Sequence, residues 1–426
     1  MDYNSKEYKR SRAAYAAQCT FEYFVTLLVA DAFFAKLLTH LGISDSVIGI
    51  LTSLVSLAFI FQLFSIFIVQ KIRNVKKTAI IFSSLFQLLF MFLYMIPFLP
   101  IAKGFTTAAV VACKLFAYFA NYLIASIVYK WGNSFVDPAK RASYSAVKEM
   151  ISLASGMVFT LVIGYIIDRF EAVGQIEKGF IFTAASIFIL SICNFVSLML
   201  IKKDDKPVEK EEYIPFRVVM TDLFGNKNFR NVIILSCIWY AAQYVSIGFL
   251  GVYKTNTLLY TVGTVQIINI VGNAFRFVFS IPFGKYSDKH SFVKGIKLAL
   301  GIAAVAFASN IFCTPETRWM IIIYTILHAV CMAGVNQNFF NIIYSYVDSK
   351  YFVQASAVKN SIGGLFGFLV SLLSGYLLSF VQNCDNKIFG ITVYGQQIQG
   401  LISFILVIAA IVFIKFTLEK EKIMKQ

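Results

Sequence analysis

Twelve long apolar segments constrain the fold of this chain more than any other feature of its sequence. A helix that crosses a bilayer needs about 20 mostly apolar residues. Segments of this kind can be read at 13–39, 46–69, 78–100, 103–131, 147–168, 178–201, 229–256, 262–284, 295–313, 317–346, 359–381 and 397–416. They are continuously apolar and lack the alternation of a membrane β-strand. The sequence therefore predicts an all-α integral membrane protein with 12 transmembrane helices.

The composition excludes the alternative of several soluble domains. Hydrophobic residues make up 58% of the chain and charged residues 14%, whereas soluble domains contain about 45–50% and about 25%. The 44 Phe and 22 Tyr residues also exceed what a soluble core could enclose. The first segment, 13–39, fits the pattern of a membrane span least well, because it contains Glu22, Asp31 and Lys36.

The basic residues are distributed unevenly between the two sides of the predicted membrane. Of the 38 Lys and Arg residues, 29 lie at the amino terminus, in alternate loops and in the carboxyl-terminal tail, and six lie in the opposite loops. The positive-inside rule then places both termini in the cytoplasm, for a protein expected in the cell membrane. Membrane topology and anionic lipid head groups account for the net charge of +16, so no nucleic acid partner is expected.

An internal repeat divides the predicted helices into two equal sets. Residues 137–148 and 348–359 both begin with Asp and end with Ser-Ala-Val-Lys, at an offset of 211 positions in a chain of 426. The same register continues in the pairs Gly156 and Gly367, Gly164 and Gly375, and Tyr165 and Tyr376. An even number of helices per copy makes the two copies parallel. We therefore predict six-helix bundles at 1–201 and 229–426, joined by a cytoplasmic linker at 202–228.

This organisation resembles the major facilitator superfamily over essentially the whole chain. The segment after the eighth span is similar to the cytoplasmic loop motif of that superfamily, Gly-x-x-x-Asp-Arg/Lys-x-Gly, with matches at Gly284, Asp288 and Lys289. Ser291 stands where the motif has its second glycine. The resemblance implies a solute site near the membrane midplane, between the halves, and transport by alternating access. At this position we expect Gly284, Asp288 and Lys289 to act in gating, although a helix end with topogenic charge is the alternative.

Four ionisable residues inside predicted spans are candidates for the chemistry of the protein. A charged side chain in hydrocarbon costs several kcal/mol on most estimates, so it usually lines a cavity or meets a partner. We expect Arg276 and Lys114 to bind an anionic or phosphate-bearing group. Glu22, with Asp31 as the second choice, is the predicted proton carrier. In an unkinked helix the two acids point to opposite faces, and structural ion pairs remain an alternative for all four residues.

Two amide side chains on other spans complete the predicted site. Asn336 in span 10 and Gln243 in span 7 are polar residues of the kind that a solute cavity requires. Such amides also hold helices together in lipid through interhelical hydrogen bonds, which is the alternative interpretation.

These features favour a secondary active transporter over an enzyme. The chain contains no phosphate-binding Gly-x-x-x-x-Gly-Lys-Ser/Thr motif. Seven scattered Cys and three His residues indicate neither a metal site nor another cofactor. We expect a monomer that moves a small organic or amphipathic solute, an anionic one included, with protons or another coupling ion. The direction of transport stays open. The alternative is a transporter-like membrane receptor or scaffold with residues 202–228 as its partner-binding element.

Overall fold

The computed structural model of the chain describes residues 3, 5–68, 72, 74–100, 102–137, 141–202, 216–348, 351–388 and 390–420. Nearly all of these residues are helical. The helices are α1 (Lys6–Leu28), α2 (Asp31–His40), α3 (Asp45–Ala58), α4 (Phe61–Ile68), α5 (Val75–Met95), α6 (Lys103–Ser134), α7 (Arg141–Ala172), α8 (Ile176–Leu200), α9 (Phe216–Gly225), α10 (Lys227–Tyr244), α11 (Ile247–Val252), α12 (Val262–His290), α13 (Phe292–Ile311), α14 (Met320–Asn341), α15 (Phe352–Asn383) and α16 (Gly395–Phe416). Two short strands, β1 (Lys387–Ile388) and β2 (Ile391–Thr392), pair antiparallel between α15 and α16.

Eleven helical segments in the described residues are long and apolar enough to cross a membrane. They correspond to the second to twelfth predicted spans. The first predicted span is formed by α1 and α2 together, and its charged residues and its interruption keep it from meeting the same criteria. Large apolar side chains on the outer faces of the helices are exposed, as expected for surfaces that contact lipid.

The first spanning segment of each repeat is broken in the middle. The segment in the first repeat breaks after Leu28, and the segment in the second repeat breaks after Tyr244, which is an offset of 216 positions. Asp31 resumes the helix in the first repeat with a φ of 45°, in the left-handed region. The condition of an unkinked helix, under which Glu22 and Asp31 would point to opposite faces, therefore does not hold, because two separate helices carry these acids.

The repeat predicted from the sequence is visible in the helix ends. Helices α7 and α15 each contain 32 residues, and both their first and their last residues differ by 211 positions. Helix α6 ends at Ser134. The 3₁₀ turn that follows α14 ends at Ser345, again 211 positions later. Residues 138–140 and 349–350 of the repeated segment lie outside the described residues. The fold thus contains two copies of one six-helix pattern.

The helices form two compact units. Unit 1 comprises Met1–Ile43, Phe64–Tyr213 and Thr261–Gln266. In it, α5 packs on α6 and α8, and α1 packs on α7 and α8. Its core is built around Tyr15, Trp131 and neighbouring aliphatic residues. Residues 203–215 of the predicted linker lie outside the described residues.

Unit 2 comprises Ser44–Leu63, Ile214–Tyr260 and Ile267–Gln426. Helix α13 packs between α14 and α16, while α15 packs against α10 and α3. Alanines of α13 and aromatic side chains such as Trp239 and Phe307 form its core. The predicted linker also contributes the helix α9, so it is not irregular throughout.

Two aspartates fix helix ends by hydrogen bonds that the sequence did not predict. In unit 1, the Asp168 carboxylate accepts hydrogen bonds from the backbone N–H groups of Val262 at 2.9 Å and Gly263 at 2.7 Å. In unit 2, Asp45 accepts from the side-chain amides of Asn256 at 2.9 Å and Gln382 at 3.2 Å. Backbone N–H groups at a helix start lack intrahelical partners, so the Asp168 carboxylate stabilises the start of α12.

An ion pair near the amino terminus connects α1 to the residues that follow α8. The Lys202 ammonium lies 2.9 Å from the Glu7 carboxylate. The hydrogen bond and positive charge of Lys202 lower the pKa of Glu7 from its ordinary value.

Candidate functional site

Glu22 lies within unit 1 and is held by two neutral amides. Gln18, one turn earlier on α1, donates from Nε2 to Glu22 Oε2 at 2.6 Å. Asn121 of α6 donates from Nδ2 to the other carboxylate oxygen. Lys148 at the start of α7 attracts the carboxylate electrostatically. Within the described residues Glu22 forms no ion pair, so its charge is stabilised mainly by amide groups.

Lys114 and Asp31 are both linked to Phe34 in unit 1, Lys114 by contact and Asp31 by its place on α2. Lys114 of α6 is only 1% exposed, and its ammonium sits 3.8 Å above the centre of the Phe34 ring. Asp31 precedes Phe34 by three residues on α2, which is close to one helical turn. The structure therefore brings the predicted anion-binding lysine and the second predicted proton carrier to the same part of α2.

In unit 2, Arg276 lies between two contacts that join α12 to α14. One turn before Arg276, Gly272 fits against Thr325 and Ala329 of α14, where a Cβ atom would lie 3.2–3.4 Å from their atoms. One turn after it, the carbonyl of Ser280 accepts a hydrogen bond from Gln337 at 3.4 Å. Helical spacing puts Arg276 on the same side of α12 as these contacts. Within the described chain, the Arg276 guanidinium makes no hydrogen bond or ion pair.

The predicted amides Gln243 and Asn336 are positioned around the same stretch of α14. Gln243 of α10 is buried, and its Nε2 lies 3.2 Å from the sulfur of Met332. Asn336 follows Met332 by one turn of α14 and is exposed. In unit 2, Gln243 of α10 and Arg276 of α12 thus lie beside the face of α14 that carries Asn336.

Two further basic residues of unit 2 belong to this region and were not predicted as site residues. His328 of α14 stacks on Tyr324 with ring centres 5.4 Å apart, and its buried Nε2 atom has no hydrogen-bond partner. It interacts electrostatically with Arg276 and with Lys254. Lys254 lies near the end of the seventh predicted span and was not expected to be buried, yet it is only 5% exposed in a π-helical turn, Tyr253–Thr257. A π-helical turn changes which side chains face inward, which hydropathy does not reveal.

The predicted gating residues lie in a helix rather than in a loop. Helix α12 continues through Gly284, Asp288 and Lys289 to His290, and Ser291 caps the next helix by accepting from Lys294 N–H at 3.2 Å. Asp288 and Lys289 are exposed and form no hydrogen bond or ion pair with the described part of the chain. A Cβ atom at Gly284 would make ordinary contact with Gln337 at 3.6 Å. Their gating role stays a prediction.

A family comparison identifies the architecture. The model of the Major Facilitator Superfamily matches residues 18–370. The chain belongs to the Major Facilitator Superfamily. No curated protein shows detectable sequence similarity to it.

Solved structures of major facilitator transporters share the fold at low sequence identity. The nucleoside transporter NupG aligns with a TM-score of 0.70 at 14% identity, over 98% of this chain and 100% of that structure. A D-xylose-proton symporter gives 0.69 at 13% identity, over 94% of this chain and 96% of that one. A bacterial homolog of the human lysosomal transporter Spinster gives 0.64 at 14%, over 97% and 96%. These similarities establish the fold.

Membership of the Major Facilitator Superfamily confirms the prediction of a multi-pass helical membrane protein of a transporter family.

The sequence did carry a signal for one residue that was missed. Asn121 follows Lys114 by seven residues, two helical turns, so both lie on one face of α6. The involvement of Lys148 with Glu22 had no such signal, because it depends on how α7 packs against α1.

Proposed function

We propose that this protein is a secondary active transporter that moves a small organic or amphipathic solute with an anionic group across the cell membrane. Protons are the proposed coupling ion, and alternating access is the proposed mechanism. The observation that carries the proposal is the Glu22 carboxyl group. Glu22 lies in the first predicted span, and its carboxylate accepts hydrogen bonds from the side-chain amides of Gln18 and Asn121.

The amide partners suit a carboxyl group that gains and loses a proton. An ionised carboxylate only accepts hydrogen bonds, whereas a protonated one also donates, and an amide offers both donors and an acceptor. Either form of Glu22 can therefore be satisfied by Gln18 or Asn121 after an amide rotates. A strong ion pair would instead hold the carboxylate in its charged form. Attraction to Lys148 moderates the cost of the charged form without an ion pair.

The residues around α14 supply the proposed contacts to the solute. Arg276 has its hydrogen-bond donors available and presents the planar fork that matches a carboxylate or phosphate. Gln243 and Asn336 add amide groups beside it, and Lys114 adds a cation in unit 1. A proton symporter for D-xylose is among the proteins with this fold, which supports proton coupling as the mechanism proposed here.

Proton-coupled flux in liposomes tests the proposal. The purified protein is reconstituted with an internal pH dye, and succinate, glucose 6-phosphate, benzoate, D-xylose and uridine are added outside in turn. We expect an anionic solute to carry protons across the wild-type membrane. Glu22→Gln should reduce proton movement to the level of empty liposomes while solute exchange continues, since the solute contacts are intact. Arg276→Gln should raise the half-saturating solute concentration about tenfold, roughly 1.4 kcal/mol.

Glu316→Gln is the matched control, because Glu316 lies in the turn before α14 and is bound by Thr314 Oγ1 at 2.9 Å. It should leave flux unchanged. Proton-coupled flux that persists in Glu22→Gln would remove Glu22 as the carrier. Two results together would favour the receptor or scaffold alternative over transport. None of the solutes would cross the membrane with the wild-type protein, and deletion of residues 204–212 would abolish the phenotype that the protein confers on cells.

A further inference from the structure

We propose that Lys359, with Ser236, forms a second oxyanion site in unit 2 that binds a carboxylate or phosphate group of the transported solute. This site lies on α15 and α10, whereas Arg276 lies on α12. The role of this site in transport rests on the proposed function. The site adds to that function by naming an oxyanion as the group of the solute that the protein recognises.

Lys359 is a buried cation with unused donors. Only 4% of the residue is exposed. Its ammonium donates one hydrogen bond, to the carbonyl oxygen of Phe339 at 2.7 Å, and lies 5.7 Å from the centre of the Phe339 ring. An ammonium group has three donors. Two of them therefore have no acceptor in the part of the chain that the structure describes.

Within the residues that the structure describes, Lys359 lacks the acidic neighbour of its equivalent in the repeat. Lys148 occupies the same place in the first copy of the Ser-Ala-Val-Lys run, above the Tyr15 ring at 4.5 Å, and it is attracted to Glu22. The helix breaks align α1 with α10 at an offset of 216, so Ile238 stands where the first copy has Glu22. The second copy keeps the cation but replaces the acid with an apolar side chain.

A second unsatisfied polar group lies one helical turn away. Gly363 follows Lys359 by four residues on α15, and a Cβ atom there would lie 2.8 Å from Ser236 Oγ of α10. The Ser236 hydroxyl is fully buried and has no hydrogen-bond partner. It does not bond back to its own helix, as other buried serines of the chain do. A hydroxyl and an ammonium on facing helices together offer donors to one anion.

A structural role explains this arrangement less well than a ligand does. Removing a lysine from water costs several kcal/mol, and one carbonyl and one aromatic ring recover only part of that cost. A methionine of similar length would fill the same space without the penalty. An incoming oxyanion supplies the missing charge and accepts the free hydrogen bonds, and charge-assisted bonds of this kind are the stronger class.

Trp239 provides a reporter at the site. Its ring stacks on Phe339 at a centroid distance of 6.4 Å, and Phe339 carries the carbonyl that binds Lys359. Replacing Trp131 and Trp319 with Phe leaves Trp239 as the only tryptophan. The protein in phosphatidylcholine nanodiscs is then titrated with inorganic phosphate, succinate and benzoate, with D-xylose as the neutral control.

We expect a saturable fluorescence change with an oxyanion and none with D-xylose. Lys359→Met should weaken the response at least about tenfold, whereas Lys359→Arg should retain it, and Ser236→Ala should weaken it less. Lys148→Gln is the matched control, because it removes the equivalent lysine of the first copy, whose charge is attracted to Glu22, and it should leave the response unchanged. In thermal unfolding without anion, Lys359→Met should be as stable as the wild type or more so, because it removes a buried charge.

The proposal is overturned if no oxyanion produces a saturable response, or if Lys359→Met responds with the wild-type midpoint. A Lys359→Met variant that is less stable yet equally stabilised by phosphate would show a structural lysine. Nanodiscs containing phosphatidylglycerol form a separate arm: a response to that lipid alone, without one to free phosphate, would overturn the assignment to a solute. Retained anion binding without proton-linked flux would refute only the proposed transport, while flux that needs Glu22 without any anion response would refute only this site.

Discussion

At the scale of single residues, the chain treats its charges differently according to their position. Near helix ends, opposite charges meet directly, as in Lys297 and Glu419 at 2.8 Å and in Lys36 and Glu171. Inside the spans, Glu22 meets amides and Lys359 meets a carbonyl. Neutral partners leave the charge of a residue open to protons or ligands, whereas a buried ion pair would hold it fixed. The distribution therefore fits a protein in which ion pairs hold helix ends together, while charged residues inside the spans bind protons or ligands.

Asp168 gives a prediction for an acid whose role is fixed. Its two carboxylate oxygens accept the first free N–H groups of α12, so Asp168→Ala should lower the free energy of unfolding by about 1–3 kcal/mol. Asp168→Asn should cost less, because one oxygen acceptor is kept. Thermal unfolding of the purified protein measures both effects. Glu149→Gln, an exposed acid without hydrogen bonds to the described residues, should change stability by less than about 0.5 kcal/mol; an equal loss in that control would refute a specific role for Asp168.

At the scale of elements, close helix packing depends on glycine where no side chain fits. Gly248 of α11 lies against α3, and a Cβ atom on it would sit 2.2 Å from Ser53 Oγ and 2.6 Å from the carbonyl oxygen of Gly49. Gly49 in turn faces the ring of Phe249. The two glycines let α3 and α11 approach to backbone contact, which is a common device of membrane helices. Backbone contact of this kind leaves no room for even one methyl group.

Opposite signs are expected for alanine at two glycines. Gly248→Ala should destabilise the protein by about 1–3 kcal/mol, because the carbonyl of Gly49 cannot move away without displacing α3. Gly301→Ala should stabilise it by roughly 0.5–1 kcal/mol, because Gly301 lies inside α13 with no atom within 4 Å of the new methyl group. Thermal unfolding of the two variants beside the wild type decides the matter. Two variants with the same sign would show that space at the glycine does not govern the outcome.

Hydropathy and the repeat predicted the helices because both can be read from the order of residues along the chain. The register of 137–148 against 348–359 reappears in the matching ends of α7 and α15. The breaks after Leu28 and Tyr244 were not predicted, since neither contains the proline or glycine that usually marks an interruption. Burial of Lys254 was missed for a related reason, because a π-helical turn shifts its side chain inward. Partners such as Lys148 depend on packing between helices, which no single segment encodes.

At the scale of the whole molecule, duplication of the chain provides a scaffold and divergence between the copies provides chemistry. The paired helices α7 and α15 have the same length and register. Two of the candidate charges do not follow the repeat: Glu22 belongs to the first copy, Arg276 to the second, and neither has an ionisable equivalent at the corresponding position. Two copies with different polar residues suit the proposed coupling of a proton to a solute.

A parallel repeat also makes a prediction about sidedness. Asp137 and Asp348 are equivalent positions before α7 and α15, and Val173 and Cys384 are equivalent positions after them, all at the offset of 211. In a background without the other cysteines, Asp137→Cys and Asp348→Cys should react with an impermeant maleimide only from the cytoplasmic side, because the basic loops face that side. Val173→Cys and the exposed native Cys384 should react only from the opposite side. Labelling of right-side-out and inside-out vesicles measures the four positions. Asp137→Cys and Asp348→Cys labelled from different sides would contradict a parallel duplication, whereas all four positions reversed together would contradict only the orientation.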